Sequence, residues 1–81
     1  MDTKIAVIAI IVEDVSAVEK MNDVLHTYSQ YIIGRFGLPY RQRNISLVSI
    51  AIDASVETIN ALCGNLGNIE GITAKAVFSK V

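Results

Sequence analysis

Tryptophan is absent from these 81 residues, and cysteine, histidine and proline occur once each. A lone cysteine cannot close an intramolecular disulfide, which removes the stapled secreted scaffolds and fits a reducing compartment. His26 and Cys63 together fall short of the three or four ligands that a zinc site gathers, so no metal is expected. Charge is equally sparse. Charged residues make up 19% of the chain, and seven cations against eight anions leave a net charge of −1. That balance carries no electrostatic footprint for nucleic acid, and no autonomous DNA or RNA binding is expected. The longest apolar run, Ile5 to Val12, is too short for a bilayer, which needs about 20 residues. One lysine precedes it and no small-residue cleavage site follows, so it does not read as a signal peptide. The chain therefore reads as cytoplasmic, with no membrane partner. Phosphate-binding glycine loops, nucleophile motifs and carboxylate pairs are missing too, so neither a cofactor nor enzymatic activity is expected.

What the chain has in surplus is apolar surface. Hydrophobic residues make up 52% of it, above the roughly 45–50% usual for soluble domains even with glycine counted. The richest stretch, Lys4 to Val12, is β-branched at Ile5, Val7, Ile8, Ile10, Ile11 and Val12 and stops at Glu13-Asp14. It reads as a strand apolar on both faces. Ile5, Val7, Ala9 and Ile11 point one way, and Ala6, Ile8, Ile10 and Val12 the other.

After it, Asp14 as N-cap, or Ser16 with Glu19 as a capping box, predicts a helix start. Val15, Val18, Met21, Leu25 and Tyr28 recur at helical spacing, with Lys20, Asp23 and Thr27 opposite. That helix should end near Ser29 or Gln30. Tyr31 to Tyr40 mixes aromatic and β-branched residues with two glycines and a proline, the signature of an irregular edge strand. A polar turn at Arg41–Asn44 leads to a third strand, Ile45 to Asp53. Val48, Ile50 and Ile52 make its bulky face, and Leu47, Ser49 and Ala51 the other. Ser55 caps a second helix whose stripe is Val56, Ile59, Cys63 and Leu66, with Gly67 expected just past its end. Ile72 to Ser79 is the last strand.

The order β-α-β-β-α-β predicts one ferredoxin-like α+β domain over residues 1–81. It has a four-stranded antiparallel sheet in the order 4-1-3-2, with both helices on one face. Two helices cover only that face. The open face, carrying Val7, Ala9, Ile11, Ser49 and Ala51, is the expected interface of a homo-oligomer, dimer or tetramer.

Asn22 and His26 stand one helical turn apart on the border of the first helix, with Ser29 beside them. Border residues bonded to loop backbone would explain the stripe, as would a small-molecule, metal or inter-subunit contact. Arg35 follows on the edge strand, and Arg41 and Arg43 in the turn. Charge and proline guarding an edge against aggregation account for these arginines economically. If the edge strand lies under the first helix, Asn22, His26 and Arg35 converge. Together they offer donor, acceptor, a titrating imidazole and a forked cation suited to an anionic small-molecule effector. Cys63 reads as a small buried hydrophobe.

Four segments resemble one known family: Ile10–Asp14, Asn22–His26, Ile33–Pro39 and Leu62–Gly67. They are similar to the iron-only hydrogenase system regulators, stand-alone domains like ACT domains and like the C-terminal domain of the nickel-responsive repressor. The resemblance implies an ACT-like ferredoxin fold, oligomeric assembly and a regulatory role in hydrogenase systems, with no catalytic residues. ACT domains carry a glycine just after the first strand, where this chain has Glu13-Asp14-Val15, which argues against amino-acid sensing. The repressor's nickel site needs several histidines and a cysteine. Here only His26 has a counterpart, and Ile33 and Arg35 stand where a His-x-His is expected. Two readings remain: a regulatory module with a small-molecule or protein partner, and a purely structural interaction domain without a ligand.

The open face generates the first prediction. Burying about 400 Å² of it on each of two subunits, about 10 kcal/mol apiece, is worth about 20 kcal/mol per dimer, above association costs of roughly 4–15 kcal/mol. Light scattering should therefore return a dimer or tetramer at micromolar concentration, and Ala9→Asp or Ala51→Asp should dissociate it. A stable wild-type monomer would end the idea.

Overall fold

The computed structural model describes residues 2–80. Strand β1 spans Lys4–Val12 and runs through the middle of the sheet. A 3₁₀ turn at Val15–Ala17 leads into helix α1, Val18–Thr27. A second 3₁₀ turn, Ser29–Tyr31, enters β2, Ile32–Tyr40. A third, Arg41–Arg43, turns the chain into β3, Ile45–Ala54. Helix α2, Val56–Gly67, and β4, Ile72–Phe78, complete the ferredoxin-like α+β unit.

The sheet order is β2-β3-β1-β4, antiparallel throughout, as right-handed crossovers require. Alternation in β1 is strict. Ala6, Ile8, Ile10 and Val12 are buried, while Ile5, Val7, Ala9 and Ile11 are exposed. Registered against them, Ile52, Ile50 and Val48 of β3 are buried too, and they form one core with Met21, Leu25, Ile59, Leu62 and Leu66 of the helices. Among the described residues, nothing forms a layer over the other face of the sheet. Val7 pairs with Ala51 and Val77, Ala9 with Ser49 and Lys75, and Ile11 with Leu47. Phe36 and Leu38 extend this face onto β2, opposite Ser49 and Leu47.

Several local details differ from the sequence reading, while Asp14, one of its two candidate caps, is the one that forms. Val15 is 68% exposed, and Ala17 takes the buried place at the start of the first helical segment. The reason is the 3₁₀ turn, whose three residues per turn put Val15 out of phase with the α-helix that follows. Asp14 caps that turn, while the Ser16 hydroxyl donates to Asp14 at 2.8 Å rather than forming a capping box. In α2 the buried stripe is Ile59, Leu62 and Leu66. Val56, the first helical residue, is exposed, and Cys63 sits half-buried on the flank. Gly67 lies inside α2, and the left-handed position falls four residues later at Gly71, with φ +88°.

Gly71 joins the two loops at that end of the sheet. The Glu13 amide donates to its carbonyl at 2.7 Å, and a Cβ built on Gly71 would stand 2.5 Å from Asp14 Cβ. A side chain there meets both an unfavourable φ and a backbone-anchored clash. Gly71→Ala should destabilise the fold by about 2–4 kcal/mol, through strain at a left-handed position plus forced separation of the loops. Urea unfolding measures this, and a change below about 0.5 kcal/mol would refute the account.

Candidate functional site

Helix α1 lies over the sheet so that Met21 and Leu25 enter the core, and the residues one position on, Asn22 and His26, fall at its border. That border faces edge strand β2. There the residues facing the helix are Arg35, Gly37 and Pro39, registered against Ile50, Val48 and Ser46. Arg35 is the long side chain among them, and it reaches back to α1. Its Nη2 donates to Asn22 Oδ1 at 2.7 Å. Asn22, His26 and Arg35 thus line one groove of about 310 Å³, with Ser29 on the rim and Leu25 and Ile32 as its apolar base.

Ile32 joins this base because of an irregularity. Between Ile32 and Gly34 the register against β3 slips by one, leaving Ile33 looped out and 63% exposed. Residues three apart in a regular strand face opposite ways; the bulge turns Ile32 and Arg35 to the same side.

Arg35 is permanently charged and carries five N–H donors in a planar fork, one of which Asn22 holds. The Asn22 oxygen holds the guanidinium across the groove. The His26 imidazole supplies a further donor or acceptor. Nucleophile and paired carboxylate are both lacking here. Among the described residues, no group of three or more His, Cys, Asp or Glu side chains could hold a metal ion.

The remaining candidates lie elsewhere. Val7, Ala9, Ile11, Ser49 and Ala51 share the open sheet face, away from the groove. Arg41 and Arg43 are exposed in the turn after β2 and do not line the groove. The Cys63 thiol is pushed above its ordinary pKa by partial burial, the opposite of an activated nucleophile. Sequence reasoning missed Tyr28 as a cross-helix partner: its Oη accepts from Asn65 Nδ2 at 2.9 Å, tying α2 to the end of α1 that carries His26.

A four-stranded antiparallel sheet in this order, with two helices over one face, places the chain among small α+β domains of the ferredoxin-like class. Over residues 4–76 the chain matches the family TM1266-like, described as "Iron-only hydrogenase system regulator, putative", and it belongs to that family. The uncharacterized protein TM1266 from Thermotoga maritima is similar throughout. Identity is 31%, the match covers 98% of this chain and 100% of that one, and the TM-score is 0.93. Two more distant structures share the fold alone. A formyltetrahydrofolate deformylase from Pseudomonas putida KT2440 matches with TM-score 0.59 and 12% identity, over 94% of this chain and 28% of that one. The protein CPII from Thiomonas intermedia K12 matches with TM-score 0.50 and 15% identity, over 100% and 94%. No curated protein matches. Among the described residues, no helix is long and apolar enough to cross a membrane.

At the other end of α1, Asp14 accepts from both the hydroxyl and the amide of Ser16. Those bonds, the hydroxyl's first, hold its carboxyl below the ordinary range. A depressed folded-state pKa means the cap contributes fully above about pH 3.9, the unfolded value, and is lost as pH falls through the folded one. NMR titration should place Asp14 below about 3.9, and Ser16→Ala should return it toward that value. An Asp14 midpoint unchanged in the variant would show that the Ser16 hydroxyl bond is not the cause.

Proposed function

We propose that this protein is a non-catalytic regulatory module, serving an iron-only hydrogenase system, that senses an anionic small molecule in the groove between α1 and β2. Family membership supports the regulatory role. The observation that carries the ligand reading is the Arg35–Asn22 hydrogen bond beside His26: a cation braced across an open groove by a neutral partner. A carboxylate or phosphate supplies the charge that Asn22 does not, in bidentate geometry on the guanidinium fork. The apolar open sheet face supports assembly into a homo-oligomer, so that each assembly carries several such grooves.

A second reading has its own observation. Exposed Val7, Ile11, Phe36, Leu38 and Leu47 form a continuous apolar surface on the open face. A protein partner docked there would make the domain a scaffold with no ligand at all.

Thermal unfolding separates the two. A ligand that binds only the folded state at about a hundredfold its Kd stabilises by about 2.7 kcal/mol. At about 4–8 °C per kcal/mol for a domain this small, the midpoint should rise by roughly 10 °C or more with phosphate or small carboxylates. Arg35→Ala should abolish the shift, and Asn22→Ala and His26→Ala should weaken it. Absence of any shift across an anion panel, with a partner captured through the sheet face, would select the scaffold.

A further inference from the structure

The polar groove does not end at Arg35. On the far side of that residue a second hollow of about 250 Å³ continues between α1 and the β2–β3 hairpin, with Arg35 forming a wall of both. Its surroundings are different in kind. Val18 and Met21 come from the helix, Pro39 and Gly37 from the edge strand, and Val48 lies beneath. Met21 and Val48 belong to the core, 2% and 7% exposed, so this hollow opens directly onto buried apolar surface. It exists because of Gly37. On the helix-facing side of β2 the side chains run Arg35, none, Pro39, and a Cβ built on Gly37 meets no atom within 4 Å. Gly37 needs no unusual backbone there, as its φ is not positive. A side chain would fit, and the sequence leaves the space empty.

Resting on the anion reading above, we infer that the ligand is an anionic amphiphile: a carboxylate head on Arg35, Asn22 and His26, and an unbranched hydrocarbon tail over Gly37 toward Pro39. Charge and shape agree on this occupant. Among the described residues, the only Lys, Arg, Asp or Glu that lines either hollow is Arg35, at their junction. An anion that bonds its guanidinium directs its remaining chain either along Asn22, His26 and Ser29 of the groove or into the second hollow, and the second offers hydrocarbon the more apolar lining. From Arg35 to Pro39 the strand rises roughly 13 Å, room for a chain of several methylenes over Gly37 and Val48, with Ser46 the one polar side chain besides Arg35 in the lining.

The test uses the intact chain and a series of straight-chain carboxylates, acetate, butanoate, hexanoate and octanoate, beside inorganic phosphate. Affinities come from NMR titration of the labelled protein. The expected result is a gain of roughly two- to fourfold per added methylene. Amide shifts at Val18, Met21 and Val48 should appear only with the longer members. Gly37→Leu fills the hollow and should flatten the chain-length dependence while leaving acetate binding within about twofold. Gly37→Ala, a smaller plug, should give an intermediate slope if the leucine variant does not fold. Binding of acetate or phosphate at Arg35 with no chain-length gain overturns this inference and leaves the anion reading standing. A gain that both Gly37 variants leave unchanged also overturns it, because the tail then lies elsewhere. Failure of every anion to shift Asn22, His26 and Arg35 overturns both.

Discussion

One strand with two apolar faces governs this molecule. β1 carries Ala6, Ile8, Ile10 and Val12 on one side and Ile5, Val7, Ala9 and Ile11 on the other, and it sits between β3 and β4 where neither side can turn away. A chain of 81 residues supplies helices for only one layer. The core therefore forms on the helix side, and the opposite face keeps an apolar centre in contact with water. Both the compactness of the single unit and the apolar surface left on its open face trace to that imbalance.

The groove arises from the same economy. Two helices spread over four strands cannot cover them all. The core beneath α1 and α2 is built on β1 and β3, with Ile8, Ile10, Ile50 and Ile52 fully buried. Edge strand β2 receives the border of α1, and along that border the sequence places Asn22 and His26 rather than further hydrophobes. On the strand itself, glycine and proline flank the one long side chain, Arg35, so the gap beside the helix stays open. A bulky residue at 37 would have closed it. The site is thus a place where packing was left unfinished, with a charge at its centre.

Much of this could be read from residue order. Period-two alternation sorted the side chains of β1 and β3 into two faces, and in β3 the bulky Val48, Ile50 and Ile52 against the small Ser49 and Ala51 marked which face is buried. The approach of Asn22, His26 and Arg35 followed from two facts, a four-residue helical spacing and an edge strand lying under the same helix. The failures were local and had local causes. A 3₁₀ turn before α1 shifted the helical phase, so Val15 faced water and Ala17 the core. Gly67 resembled a helix terminator, yet the chain needed its left-handed residue at Gly71, where two loops meet. The apolar hollow beyond Arg35 was invisible for another reason: it is made by the side chain that Gly37 lacks, and a missing side chain has no periodicity.

The bulge at Ile33 has a consequence for how such a chain tolerates change in length. Because Ile33 is looped out, the segment joining α1 to Arg35 is one residue longer than the ladder uses, and Ile32 still stands opposite Ile52. Loss of that residue would convert the bulge into regular ladder and leave Ile32 and Arg35 on the side they already occupy. Loss of Gly34 is absorbed in the same way, but a loss from Phe36 to Tyr40 slips part of the strand by one and exchanges its faces. Ile33 is therefore the joint at which relatives can differ by one residue while the guanidinium keeps its aim.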